Sequence, residues 1–332
     1  MLNPEQKLSH KIFSSYIDEE PTRDGYGKGL MQIGVEKKIV VLSADLEDST
    51  RCGWFKKIYP ERFIECGVAE QNMAGIAGGL GISGKIPFIN SYATFSPGRN
   101  WEQIRTTIAY NDSNVKIAGH HAGVSVGPDG ATHQAIEDVA IMRAMPNMKV
   151  VVPCDAIEAQ KAVDAISKIW GPIYIRLQRE KTPVLTTRET PFVFGKVQVL
   201  WLPKKKNINV VIFGMGPILY KALLAARELE KKNISVVVIN VSTIKPLDEK
   251  VIISWAKKAK GVVSVEEHNV IGGLGGALAE LFAKNFPVPM EFVGIQDVFG
   301  QSGKPEELIK KYHLDVKDVE IAVEKVIKKI KN

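Results

Sequence analysis

Glu70, His121, Asp129 and His133 are the residues whose types and spacing most readily suggest chemistry, and two rings, Tyr92 and Phe95, accompany them. The stretch from Glu65 to Phe95 reads ECGVAEQNMAGIAGGLGISGKIPFINSYATF. A β-rich run, Arg62–Cys66, leads through a glycine to Glu70, which opens an apolar helix with Met73, Ile76, Ala77 and Leu80 at helical spacing. Gly75, Gly78 and Gly79 thin the surface of that helix, so another element can pack closely. A strand, Ile86–Ser91, follows, and then Tyr92 and Phe95. A carboxylate is thereby planted at a strand-to-helix corner on an apolar wall. Burial disfavours its ionised form, so such a Glu tends to keep its proton. A protonated carboxyl that donates to a ring nitrogen, beside aromatic rings, suits a heteroaromatic cofactor. Two plainer roles compete: compensation of the helix dipole for Glu70, and core packing at a strand end for Tyr92 and Phe95.

His121, Asp129 and His133 are spaced by eight and then four residues. His121 ends a strand, and Gly123, Gly127, Pro128 and Gly130 make the following loop irregular. Glycine-bearing loops at sheet edges are a common address for functional groups. Two imidazoles with a carboxylate suit proton traffic on hydroxyls near neutral pH. The loop offers no settled set of further ligands for zinc, so no metal site is assigned.

The elements that must hold these residues alternate. Helices are expected at Thr22–Val35 (with Thr22 or Asp24 as cap), Glu70–Ile82, Trp101–Tyr110, Ala135–Arg143 and Ala156–Ile169. Strands are expected at Lys38–Ser43, Arg62–Cys66, Ile86–Ser91, Val115–Gly119, Lys149–Val152 and Ile173–Leu177. This order implies a mostly parallel sheet covered on both faces, with ligands at the strand ends. A second alternating series follows, with strands at Asn209–Phe213, Ile234–Asn240, Gly261–Glu266 and Met290–Gly294. Its helices are Pro217–Lys231, Asp248–Lys258 and Gly273–Lys284, and the series carries no catalytic constellation of its own. The fold class is therefore α/β, with two domains, each a mostly parallel sheet flanked by helices. The expected boundaries are 1–190, a linker at 191–207 rich in Pro, Thr and charge, and 208–332. The glycines at Gly214–Gly216 and Gly272–Gly276 lack the full GxGxxG spacing, so close helix packing explains them better than nucleotide binding.

Bulk properties narrow the class. The chain has 332 residues, 45% hydrophobic and 24% charged, enough for two cores. The start MLNPEQKLSHK lacks a signal-peptide layout and no apolar run approaches bilayer length, so a cytoplasmic protein without membrane contact is expected. Cys52, Cys66 and Cys154 are scattered and odd in number, which suits reduced thiols. The net charge of +7 is concentrated in lysines interleaved with Glu near the C-terminus, from Lys304 to Lys331. That pattern is a solvated helix face rather than a nucleic-acid tracker, while the mild positive field favours small anionic substrates.

The segments VAEQNMAGIAGGL, SYATF and HHAGVSVGPDGATHQ resemble the pyrimidine-binding domain of transketolases. The likeness runs from about Thr22 to Arg179 and more weakly to the C-terminus, and it covers only the later half of a full-length transketolase. It implies transfer of a two-carbon ketol unit from a ketose phosphate to an aldose phosphate, with thiamine diphosphate as cofactor. By this resemblance Glu70 is the glutamate that hydrogen-bonds the aminopyrimidine, and Tyr92 and Phe95 enclose that ring. Arg99 lies near an arginine of animal-type transketolases, and Asp45 matches an aspartate near the cofactor and subunit interface. His121, Asp129 and His133 match sugar-contacting residues, and Arg23, Ser49 and Arg179 match phosphate-binding ones.

The diphosphate and Mg²⁺ site of such enzymes carries GDG followed some 25–30 residues later by Asn-Asn, a set of oxygen ligands for a hard cation. No GDG occurs here. The resemblance therefore implies a split enzyme in which a separate N-terminal chain supplies that half, in an α2β2 assembly. Three rivals stand beside it. A deoxyxylulose-phosphate synthase shares the GxDGxTHQ pattern but carries an acidic residue where this chain has His121. The β subunit of a 2-oxoacid dehydrogenase lacks DGATHQ. A catalytically silent, transketolase-like interaction protein would have no need to keep Glu70, His121 and His133 together.

Overall fold

The structure is a computed structural model that describes residues 1–205 and 207–331; Lys206, inside the expected linker, and Asn332 lie outside the described residues. The first sheet contains β1 (Ile39–Ser43), β2 (Phe63–Glu65), β3 (Ile86–Tyr92), β4 (Lys116–His120), β5 (Lys149–Val151) and β6 (Ile173–Arg176). The second contains β7 (Gln198–Trp201), β8 (Val210–Gly214), β9 (Val236–Asn240), β11 (Gly261–Asn269) and β12 (Met290–Ile295). The intervening β10 (Thr243–Lys245) leaves its own domain and pairs antiparallel with β5, so the first sheet has seven strands in the order β10-β5-β6-β4-β3-β1-β2. The second runs β12-β11-β8-β9-β7, parallel except for β7 against β9. The expected pair of mostly parallel sheets is present. Its two antiparallel edges both involve short strands in the 198–245 region that the sequence pattern did not separate from connecting segments.

Gln198–Trp201 lies inside the stretch expected to be linker, yet it is a sheet edge. It also anchors the N-terminus: the Asn3 N–H donates to the Leu200 carbonyl at 2.8 Å, and Leu2 bridges Trp201. The two halves are further joined by one continuous apolar interior, in which Leu42, Met73, Ile89 and Met142 of the first meet Phe213, Ile239 and Leu278 of the second.

Helices α1 (Thr22–Ile33) and α4 (Ala156–Ser167) cover one face of the first sheet and pack on each other. A Cβ at Gly25 would run into the Ala156 carbonyl, so that crossing admits only glycine. The α1 cap differs from expectation. Pro21 is the capping position, and the Thr22 hydroxyl instead accepts the Gln178 N–H at 2.7 Å, tying the helix to the end of β6. On the other face lie α2 (Glu70–Ile82) and the segment after Asn100. The expected helix Trp101–Tyr110 is α-helical only to Gln103 and becomes a π-turn over Ile104–Ala109. There Thr106 and Thr107 hydrogen-bond the carbonyls four residues back, a known source of helix distortion. The helix expected from Ala135 starts at Asp138 as α3 (Asp138–Arg143), because Ala135 pairs with Ala122 in an isolated bridge.

The second sheet is covered by α5 (Leu219–Lys231), α6 (Glu249–Ala256), α7 (Leu274–Asn285) and α9 (Val316–Lys331), with α8 (Pro305–Lys311) near the boundary. The lysine-rich α9 buries Val319, Val323 and Val326. At the start of α7 the amides of Leu274 and Gly275 donate to the Glu266 carboxylate at 2.7 and 2.8 Å. That glycine-rich turn is therefore filled by an internal carboxylate where a nucleotide loop would hold phosphate.

Candidate active site

Glu70 is the first residue of α2, and its side chain is 2% exposed. β2 delivers the chain to this corner, and the Asn100 side-chain amide holds the Glu70 carbonyl at 3.1 Å. The carboxylate pairs with Arg99, Nη1 to Oε2 at 2.9 Å, so a guanidinium offsets part of the cost of burying it. Arg99 in turn lies over the Phe95 ring, 4.7 Å from its centroid.

Both rings leave the end of β3. The Phe95 and Tyr92 rings are nearly parallel, with planes 18° apart and centroids at 6.0 Å. His121 stacks on Tyr92 at 3.9 Å, and His133 meets Phe95 edge-on at 5.4 Å. Glu70, Arg99, Phe95, Tyr92, His121 and His133 thus form one contact chain, although 63 positions separate its ends in sequence (133 less 70).

His121 follows β4 in the left-handed region, at φ +55°, a conformation that turns the side chain off the sheet. Its ring is buried, and burial first, then the adjacent His120 and the guanidiniums of Arg23, Arg179 and Arg51, push its pKa down to about 2. His121 is a neutral imidazole. The Thr132 hydroxyl stands 2.9 Å from His133 Nδ1.

A cationic group borders this cluster. Arg23 donates to the Ser49 carbonyl at 2.9 Å, and burial followed by the nearby Arg51 lowers its pKa from the usual guanidinium value. Arg179 donates to the Val126 carbonyl at 3.2 Å and pairs with Asp129 at 3.3 Å. A cleft of about 860 Å³ opens beside them, where the cations Arg23, Arg51, Arg179, Lys181, Lys304 and Lys310 outnumber the carboxylates of Asp24, Glu180, Glu306 and Glu307. Asp45 stands apart: it is exposed at the end of β1, at φ +60°, and its N–H donates to Glu65. Among the described residues no hydrogen bond joins it to Glu70.

Several groups here escaped sequence reading. His120 lies beneath Tyr26, with ring centroids 4.9 Å apart, and the adjacent pair His120-His121 was the available signal. Arg51 pairs with Asp24 at 2.7 Å across the same cleft. Glu266, Glu267 and His268 are consecutive and all buried on β11, a density of ionisable groups that a plain core strand would not carry. The thiols are inert by environment: burial pushes Cys52 up to about 12 and Cys154 well above its ordinary value, and raises half-buried Cys66. Among the described residues no group of three or more His, Cys, Asp or Glu could hold a metal ion, and no helix is long and apolar enough to cross a membrane.

Comparison with known proteins covers the stretches that carry these residues. The family described as transketolase, pyrimidine binding domain matches residues 20–184, and transketolase, C-terminal domain matches 200–319. A protein of Methanocaldococcus jannaschii named as a transketolase C-terminal section is 43% identical over 312 residues, 92% of this chain and 96% of that relative. A 6-deoxy-6-sulfo-D-fructose transketolase subunit of a Clostridium species is 38% identical over 95% of this chain and 97% of its own length. Human transketolase is 36% identical over 94% of this chain, but the match spans 50% of the human protein. Among solved structures, a split gene transketolase described as an inactive beta4 tetramer superposes with a TM-score of 0.85 at 43% identity, covering 94% of this chain and 99% of that one. With both of its domains matched in order and relatives of its own length, the chain belongs to the transketolase family.

Proposed function

We propose that this chain is the C-terminal subunit of a two-chain, thiamine-diphosphate-dependent ketol transferase, and that it supplies the pyrimidine side of the cofactor site. The observation that carries this reading is a group of buried polar atoms without partners among the described residues. They are Arg23 Nε, Thr94 Oγ1, Asn100 Oδ1, His120 Nδ1 and His121 Nδ1, on residues that belong to, adjoin or contact the cluster of Glu70, Tyr92 and His121. Buried polar groups are nearly always satisfied, so such a cluster fits a site completed by a ligand and a second chain. The residues present fit the cofactor: a buried carboxylate for a ring nitrogen, and a half-buried aromatic face at Phe95.

When bound, thiamine diphosphate supplies an electron sink for the two-carbon unit. Glu70 would hydrogen-bond the pyrimidine nitrogen, and the Arg99 guanidinium beside it, which the structure pairs with the ionised carboxylate in place of the protonated carboxyl expected from burial, would hold it in place. Phe95 and Tyr92 hold the ring and keep water off it. His121, being neutral, offers one nitrogen as acceptor and one N–H as donor to sugar hydroxyls, and His133 and Asp129 address neighbouring hydroxyls. Arg23, Arg179 and the Ser49 hydroxyl hold the phosphate, for which guanidinium forks are well suited. Ketose and aldose phosphates are the substrate class; the sulfofructose relative is a reminder that the terminal anion varies within the family.

The partner chain carries the diphosphate and Mg²⁺ half. Support lies on the outer face of α2, where a Cβ added at Gly75 or Gly79 would meet nothing within 4 Å, and at its two ends, where Val68 just before the helix and Ile82 as its last residue are 70% and 61% exposed. Mixing this chain with the protein that carries GDG and Asn-Asn, in the presence of thiamine diphosphate and Mg²⁺, is expected to yield ketol transfer that neither chain has alone. Full activity of this chain alone would refute the reading.

A further inference from the structure

Among the buried ionisable groups of the C-terminal half, Glu267 reaches the histidine loop directly. On β11, Glu266 is consumed by its own domain at the start of α7, and His268 faces Asp138 at 3.9 Å. Glu267 points across the domain boundary. Its Oε1 accepts the Ser125 N–H at 2.7 Å, and its Oε2 accepts from the Gln178 side-chain amide. The backbone there is held as well, since Arg176 donates to the Glu267 carbonyl at 2.9 Å.

These two partners are well placed. Ser125 lies in the loop between His121 and His133, and Gln178 precedes Arg179. The Gln178 N–H donates to Thr22, the neighbour of Arg23. One carboxylate therefore ties the histidine loop to both arginine-bearing segments. The approach is so close that Gly123, at φ +88°, could carry no side chain: its Cβ would collide with Glu267 Oε1. The far end of the loop is fixed by the same domain, where the Gln134 amide donates to the Gln301 carbonyl at 3.0 Å and to Val124 at 3.1 Å.

We infer that Glu267 is a positioning residue, through which the C-terminal domain fixes the loop bearing His121, Asp129 and His133 against the phosphate-binding arginines. The inference rests on the ketol-transferase reading above and gives the second domain a part in substrate recognition. Glu267 touches neither substrate nor cofactor. It acts by removing freedom from groups that do, and small displacements of such groups cost rate and affinity heavily.

The test uses the assembled two-chain enzyme. Glu267→Ala is expected to raise KM for a ketose phosphate donor at least 10-fold while thiamine diphosphate affinity, read by calorimetric titration, stays within about 3-fold. Glu267→Gln is expected to recover most of that loss, because its amide still accepts from Ser125 and a rotated Gln178 amide restores the second bond. Should the alanine variant not fold, Gln178→Leu removes one bond without touching the second domain and is expected to raise KM about 3- to 10-fold. Amide exchange on this chain alone gives a readout independent of the reaction: Ser125 is expected to lose protection in Glu267→Ala. Unchanged KM and protection, an equal loss of cofactor and substrate affinity, or a glutamine variant no better than alanine would overturn the proposal. An inactive wild-type assembly would instead strike the underlying reading.

Discussion

The His121 imidazole lies on the Tyr92 ring, with centroids 3.9 Å and planes 23° apart, and its own backbone sits at φ +55°. A non-glycine residue in that region costs on the order of 1–3 kcal/mol, a strain tolerated where the surroundings over-determine it. The imidazole is thus clamped against a ring, and burial together with the nearby Arg23, Arg179 and Arg51 holds it neutral.

That neutrality predicts acid sensitivity. An unfolded histidine takes its proton near pH 6.5, whereas His121 in the fold takes it only at about 2. Below 6.5 the unfolded chain binds more protons, so the stability His121 contributes is present above 6.5 and lost as pH falls toward 2. His268, held to about 4, works in the same direction. Glu158 and Glu266, pushed up to about 7 from 4.5, oppose it: their contribution is present below 4.5 and lost as pH rises through 7. His120, buried beside His121 and held well below 6.5, adds to the same loss, so urea midpoints are expected to fall as pH drops below 4.5, where the two glutamates no longer oppose the histidines. His121→Asn should reduce the slope of that acid limb by about 1.4 kcal/mol per pH unit. An unchanged slope would mean that the imidazole titrates as if in water.

The phosphate assignment predicts a selective loss. Arg179 holds Asp129 and the Val126 carbonyl on the rim of the cationic cleft. A charge-assisted hydrogen bond is worth roughly 1.5–3 kcal/mol, so Arg179→Ala in the assembled enzyme should raise KM for a phosphorylated donor about 10- to 100-fold. KM for an unphosphorylated donor should move far less. Equal effects on both donors would remove Arg179 from phosphate recognition.

Packing makes its own prediction at Gly25. Alanine there sets a methyl group on the Ala156 carbonyl, where α1 crosses α4. Overpacking of this kind costs about 1–3 kcal/mol, and denaturant unfolding of Gly25→Ala should register it. A neutral variant would mean that the two helices separate readily.

Much of this was legible in the sequence. The β-branched runs mark β1, β3, β4 and β6, and the types and spacing of Glu70, Tyr92, Phe95, His121 and His133 point to functional groups that the fold brings into contact. What was not legible depends on tertiary pairing. Ser125 and Glu267 are 142 positions apart, and no local pattern announces that bond. β10 crosses from one domain to the other's sheet on three residues, too few for a period to register. The bond from the Asp45 N–H to the Glu65 carboxylate, 20 positions on, is likewise a pairing that no local pattern announces.

The central claim concerns the buried carboxylate at the start of α2, and it is tested by turnover of the assembled enzyme with Glu70→Ala. Positioned proton transfer contributes about 10²- to 10⁴-fold, so kcat should fall by at least two orders of magnitude while the variant subunit still assembles with its partner. Turnover within a few-fold of wild type in a correctly assembled complex would contradict the account.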